Sequence, residues 1–272
     1  MTLAEDAKFN IWKINDQIFE EEEKIIEREP FNSIQTDYNF VQSFLSPDYI
    51  KHLAILCGDK GVFKFYDIGE NKLIQEVQLG SMDKIHSMQL TCEKDGNILI
   101  CGDINCNMSI FDCRNSSSCS ETIKTKLKKQ RLIMCEDSPL VISMGIEQQY
   151  RKAKVYDIRN LSKEISTTTI DSKNQTFFRL YDTDTRTIFV YNRGSLNLKA
   201  LALKDNTSVI SLCDIPMLYD IGCLSLIPKH MCNVKRVEYS RVLNLTRKIP
   251  AIKSISLLVP KRRVRIFRVL LF

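Results

Sequence analysis

The stretch KVYDIRNLSKEISTTTIDSKNQTFFRLYDTDTRTIFVYNRGSLNLKALAL, from Lys154 to Leu203, decides how the rest of the chain is read. It opens with a β run closed by an aromatic-Asp pair, Tyr156-Asp157, followed by a linking strand and a hairpin. The hairpin arms are Thr176–Tyr181 and Thr187–Tyr191, around the turn Asp182-Thr183-Asp184-Thr185-Arg186. Val, Ile, Phe, Tyr and Thr crowd the arms, where branched and aromatic side chains pack well on a pleated surface. Asp, Asn and Gly sit in the turns, where they tolerate tight backbone geometry.

The same unit recurs upstream. An aromatic followed by Asp closes a β run at Tyr66-Asp67, at Phe111-Asp112 and at Tyr156-Asp157, and both intervals are 45 residues. Leu201 lies a further 45 residues on. Matching hairpin signals precede two of these closings, Leu56-Cys57-Gly58-Asp59 and Ile100-Cys101-Gly102-Asp103. Near the start, Asp6-Ala7-Lys8-Phe9-Asn10-Ile11-Trp12 fits the ending D-x-x-φ-x-φ-W of the same unit. A period of about 40–45 residues with an aromatic-Asp closing marks the four-stranded blade of a WD-repeat propeller. The alternative is an all-β sandwich in which the spacing is accidental.

Length divided by period gives about six repeats, against the seven commonest in such rings. The expected fold is therefore an all-β, WD-repeat β-propeller, incomplete, with about five to six blades of a seven-blade ring. Residues 1–260 form the propeller region, with a partial first blade at 1–14, and 261–272 form a basic-apolar C-terminal tail. Residues 1–14 hold only the end of a blade, which implies truncation at the N terminus.

The interval from Trp12 to Tyr66 is lengthened to 54 residues by the acidic insertion Glu20–Glu29. Such a run is expected as a solvated loop or short helix, with docking to a basic partner as the alternative. Hairpin turn chemistry recurs at Asp95-Gly96. From Ser211 the period fades, although 224–230, 237–245 and 254–260 still read as strands with turns. The end, from Lys261 to Phe272, alternates basic and apolar residues and is expected as a final strand or tail, with surface contact as the weaker option.

Composition narrows the function. At 44% hydrophobic and 26% charged the chain is ordinary globular material, and no apolar run is long enough for a transmembrane helix. Ten cysteines with no signal peptide before them read as buried thiols in a reducing cytosol. The cluster Cys101, Cys106, Cys113, Cys119 contains no C-x-x-C pair and no His, so no metal is expected. His52, His86 and His230 are far apart, and no phosphate-binding, nucleophile-elbow or zinc-protease motif is present. Asp182 and Asp184 read as turn formers rather than paired catalytic carboxylates. No catalytic residue, cofactor or enzyme activity is expected. The net charge of +6, with Lys and Arg concentrated late, favours an acidic partner surface: an actin filament, anionic lipid or nucleic acid.

Three stretches together resemble coronin, the actin-binding WD-repeat family. Tyr156-Asp157-Ile158-Arg159, Ile170-Asp171-Ser172 and Leu180–Thr185 are similar to its W-D-x-R, D-x-S and P-F-Y-D-x-D-T. Ile227-Pro228-Lys229 followed by Asn233–Arg241 is similar to P-K-R … C-E-I-A-R-F, and Val259-Pro260-Lys261-Arg262 to V-P-R-K. Arg179 stands near the family's Pro, Asn192-Arg193-Gly194-Ser195 replaces G-K-G-D, and His230 replaces an Arg. The family's first blade, C-terminal extension and oligomerising coiled coil have no counterpart here. The resemblance implies a non-enzymatic cytoskeletal adaptor that binds filamentous actin through the propeller, in the cytoplasm, with other proteins as further partners and no nucleic acid. Carried over position by position, it makes Lys235, Arg241, Lys261 and Arg262 the candidate actin-binding residues. The same four are expected otherwise to brace the last blade. A generic WD-repeat scaffold without actin binding, and a partial gene product that does not fold alone, are the competing expectations.

Overall fold

The computed structural model describes residues 2–3, 8–11, 29–35, 40–45, 53–58, 62–78, 85–90, 98–112, 119–135, 137–247, 251–258 and 269–271. Trp12, most of the insertion Glu20–Glu29, Asp95-Gly96, Lys261 and Arg262 lie outside the described residues.

Among the described residues the chain is all-β, with strands β1 to β23 in six antiparallel sheets and two short 3-10 turns. One sheet is three-stranded and five are four-stranded, each a meander of consecutive strands. This is the WD-repeat propeller architecture the period predicts, and six sheets sit at the upper end of the expected number. The described residues fall into two compact units.

The first unit holds four sheets. Its first is β1 (Thr2–Leu3), β2 (Lys8–Ile11) and β3 (Asn32–Gln35). The second is β4 (Phe40–Leu45) to β7 (Lys72–Gln78), and the third runs from β8 (Ile85–Leu90) through β9 (Ile98–Asp103) and β10 (Asn107–Asp112) to β11 (Cys119–Lys124). The fourth comprises β12 (Lys128–Met134), β13 (Leu140–Glu147), β14 (Tyr150–Asp157) and β15 (Asn160–Asp171). Strands β6 (Val62–Asp67), β10 and β14 are the third of their sheets, and each ends on the aromatic-Asp pair of the repeat.

The reason for that ending is visible in the side chains. Tyr66, Phe111 and Tyr156 are buried in the core. Asp67 accepts a hydrogen bond from the Glu70 N–H (3.0 Å), and Asp157 accepts one from the Arg159 N–H (2.9 Å). The aromatic anchors the strand while the carboxylate satisfies backbone donors of the turn that follows. Pairing with the fourth strand also slips at this aromatic in all three sheets, between Phe65/Tyr66, Ile110/Phe111 and Val155/Tyr156. A bulge at that point twists the strand and carries the chain to the outer edge.

The recurring Cys-Gly-Asp has a reason of its own. Asp103 closes the β9–β10 hairpin by accepting from the Asn107 N–H and Nδ2 (both 2.8 Å). Gly102 faces the buried Gln130, whose Cγ would lie 2.7 Å from any added Cβ. Gln130 in turn donates to the Asn107 carbonyl (2.5 Å) and accepts from Ser143 Oγ (3.1 Å), which pins β12 against the neighbouring sheet. Around this polar rivet, Ile100, Met108, Leu132, Met134, Val141 and Leu161 form the apolar core.

The second unit holds two sheets. One is β16 (Phe178–Asp182), β17 (Thr187–Tyr191), β18 (Asn197–Lys204) and β19 (Ser208–Pro216). The other is β20 (Cys223–Leu226), β21 (Glu238–Leu245), β22 (Ile252–Leu258) and β23 (Val269–Leu271). Its core gathers Phe189, Tyr191, Leu198, Ile215, Val242 and Ile255, all but inaccessible to water. The hairpin arms read from the sequence are β16 and β17, in register from Phe178↔Tyr191 to Asp182↔Thr187. The period fades after Ser211 because the β20–β21 connection carries two 3-10 turns, Lys229–Met231 and Val234–Arg236, that displace the next strand. Val269–Leu271 pairs with β22, so this part of the basic-apolar end is an edge strand.

Candidate functional site

The two candidate actin-binding residues that are described, Lys235 and Arg241, lie either side of the point where the β20–β21 connection enters β21. This junction is built from short-range chemistry. Pro228 precedes the first 3-10 turn, where its fixed φ and missing N–H cost nothing. Asn233 caps the second turn, its Oδ1 accepting from the Arg236 N–H (3.3 Å). Val237 ends that turn in the left-handed region, φ 57° and ψ 38°, an unusual place for a β-branched residue. Glu238 then closes the loop: its N–H donates to the Asn233 carbonyl (3.2 Å), and its Oε2 accepts from the Asn233 N–H.

The product is a fixed knuckle, Asn233–Val237. Lys235 and Arg236 are exposed on it, and Val234 and Val237 are 84% and 58% exposed. Arg241 is placed differently. Its Nε and Nη2 make a fork to Glu238 Oε1 and Oε2, both at 2.7 Å, with the Glu238 side chain only 1% exposed. Burial pushes the Glu238 carboxyl up. Hydrogen bonds from Arg241, the Asn233 N–H and Ser256, with the Arg241 charge, outweigh it and hold the carboxyl below its usual range. The same hydrogen bonds from Arg241 raise the guanidinium pKa further. Of the pair, Lys235 presents its charge outward and Arg241 spends its charge inward.

Lys229, in the Pro-Lys step, was not among the candidates and turns out to be structural too. Its Nζ donates to Asp182 Oδ2 (2.5 Å) and to the Tyr239 carbonyl (2.5 Å), and lies 5.2 Å from the Tyr239 ring centroid. Tyr239 donates its hydroxyl to Thr187 Oγ1. Burial, ahead of all other influences, raises the Tyr239 pKa. The Tyr-Asp-x-Asp-Thr stretch and the Pro-Lys stretch are thus halves of one half-buried polar lock. Asp182 is buried at the end of β16 and Asp184 is exposed, so the two carboxylates do not face a common site. Among the described residues no three His, Cys, Asp or Glu side chains converge to hold a metal. Cys106, Cys213, Cys223 and Cys232 are free thiols there, and burial raises the pKa of Cys106, Cys213 and Cys232.

Six meandering sheets with an aromatic-Asp period define a WD-repeat propeller protein. Comparison with known proteins narrows the class. No family model matches the chain. It is similar to Coronin-2B of Xenopus laevis, 22% identical over 170 residues, covering 62% of this chain and 36% of that protein. Coronin-2B of Xenopus tropicalis matches at the same identity, over 35% of its length. The chain therefore spans about a third of the curated relatives it matches. Among solved structures, the WD40 domain of Toxoplasma gondii coronin superposes with a TM-score of 0.76 at 16% identity, covering 98% of this chain and 67% of that one. Hydrazine synthase of Kuenenia stuttgartiensis shares the fold more loosely, with a TM-score of 0.61 at 13% identity, over 84% of this chain and 67% of that one. The chain is a coronin-like WD-repeat protein.

Proposed function

We propose that this chain is a non-enzymatic, actin-associated adaptor of the cytoplasm that binds filamentous actin through a basic surface centred on the Asn233–Val237 knuckle. The observation that carries it is the exposure of Lys235 on a loop fixed by Asn233 and Glu238. A charge held in place loses little side-chain and loop freedom on docking, and flanking apolar contacts from Val234 and Val237 add area that water would otherwise cover. Lys261 and Arg262, which lie outside the described residues, are the other basic candidates of this proposal. Arg241 contributes by holding Glu238, and so the knuckle, in place. Coronin likeness supports actin as the acidic partner, and charge complementarity supports a salt-sensitive contact.

Co-sedimentation of the purified chain with filamentous actin over a salt series tests this. Pelleting at low salt should fade as salt rises, and Lys235→Glu should weaken it roughly fivefold, as expected when one exposed attraction becomes a repulsion. A cooperatively folded chain that never pellets would remove actin and leave a protein-binding scaffold.

A further inference from the structure

The end of the last two sheets opposite the knuckle carries a second surface. Three loops are stitched together there by backbone hydrogen bonds. The β17–β18 turn meets the β19–β20 loop through Gly194 N–H to the Ile221 carbonyl (2.6 Å), Ile221 N–H to the Ser195 carbonyl (3.0 Å) and Met217 N–H to the Leu196 carbonyl (2.7 Å). The β19–β20 loop meets the end of β21 through Gly222 N–H to the Leu245 carbonyl (2.9 Å), and Leu245 pairs with Ile252 across the β21–β22 turn. Glycine is required at 222: an added Cβ would stand 2.4 Å from the Leu245 oxygen.

This rigid platform leaves large apolar side chains uncovered. Leu218 is 66% exposed, Leu196 55%, Ile252 54%, Leu245 43% and Tyr219 38%. Single exposed apolar residues are ordinary, but a group gathered on loops that are bonded to one another marks a contact surface. The rim is basic. Arg193 lies over the Phe178 ring at 4.8 Å, Lys253 Nζ lies 5.5 Å from the Tyr219 centroid, and the Arg247 guanidinium stands beside Gly194.

We propose that this platform docks a short segment of another protein that combines large apolar side chains with Asp or Glu. The apolar centre desolvates the anchors, and the two arginines supply planar donors matched to carboxylates. Charge complementarity selects the occupant, because a second copy would bring the same basic rim against itself. Asp220, in the middle of the β19–β20 loop, disfavours a bilayer of anionic lipid. The surface lies at the far end of β21 from Lys235, about seven strand steps or roughly 23 Å away, so the two surfaces do not share residues.

The test uses the full chain on an array of random short peptides. Peptides joining Leu, Phe or Trp with Asp or Glu should be retained, and Leu218→Glu should weaken the best of them about tenfold without changing the melting temperature. Arg193→Glu with Arg247→Glu should keep the apolar preference and reverse the charge preference. Retention with no acidic-apolar bias, retention unaffected by both variants, or no retention at all would overturn the proposal. So would binding to phosphatidylserine vesicles, or concentration-dependent dimerisation lost in Leu218→Glu, in the absence of peptide binding.

Discussion

The two ends of β21 handle exposed surface in opposite ways. At its start, the basic side chains that stand out in the sequence are mostly consumed by the fold: Arg241 forks onto Glu238, and Lys229 is held by Asp182 and the Tyr239 carbonyl. At its end nothing in the sequence is conspicuous, yet apolar side chains stand uncovered on a platform of bonded loops. Arg241, three residues from a carboxylate, is part of a lock rather than a ligand for something else. What remains for partners is what the locks leave exposed. Of the two candidates described at the start of β21, that is Lys235.

The largest effect should come from breaking the lock. Glu238→Ala leaves Arg241 without its fork and the Asn233 N–H without its acceptor, in a place mostly shielded from water. Removing one partner of a buried pair costs about 3–5 kcal/mol, to be read from chemical denaturation. Leu218→Glu at the other end is the control, with a change within about 0.5 kcal/mol. Equal losses at the two ends would erase the contrast.

Acid should dissolve the same lock. The folded Glu238 carboxyl is held below its unfolded value of about 4.3, so its contribution is fully present above that pH and is lost as pH falls through the lower, folded value. Melting temperatures of the wild type and Glu238→Gln should therefore differ most above about pH 5 and converge as the carboxyl protonates. A constant gap across that window would mean that Glu238 acts through packing alone.

Smaller effects separate strain from hydrogen bonding within the knuckle end. Tyr239→Phe removes the hydroxyl that Thr187 accepts and should cost about 1 kcal/mol. Val237→Asn should act in the other direction, because Asn tolerates the left-handed conformation that costs a β-branched residue about 1–2 kcal/mol. A gain in melting temperature with weaker actin pelleting would show that strain at Val237 serves presentation of the knuckle.

The period was legible because each of its parts has a local cause. Tyr66, Phe111 and Tyr156 are buried at the same point of three blades, and burial, with the Glu164 and Glu147 charges, pushes the Tyr156 hydroxyl up to about 12. Asp67 and Asp157 cap the turns that follow. The site was legible only in part. Sequence placed Lys235 and Arg241 in one stretch, but their divergent roles come from Lys235 standing on the exposed 3-10 turn and Arg241 folding onto Glu238 from β21, which a lone Glu-x-x-Arg does not specify. The lock of Lys229, Asp182 and Tyr239 joins residues 47 and 10 positions apart, beyond any local pattern. The apolar platform escaped notice because Leu196, Leu218 and Ile252 lie at three separate loops, where short apolar stretches such as Met217-Leu218-Tyr219 read as ordinary core, and only the bonding of those loops gathers them.

The smallest expected change in stability is also the sharpest test of what the knuckle is for. Lys235 is exposed on a turn held by Asn233 and Glu238, so Lys235→Glu should shift the unfolding free energy by no more than about 0.5 kcal/mol. Arg241→Gln, in contrast, should lower stability and pelleting together, since it frees the carboxylate that fixes the loop. If the exposed charge is the contact, Lys235→Glu weakens actin pelleting at low salt and the deficit closes as salt screens both proteins. If pelleting follows stability instead, so that Arg241→Gln loses it and Lys235→Glu keeps it, the cation serves the fold at both positions. The partner-facing surface of this sheet would then be the apolar platform alone.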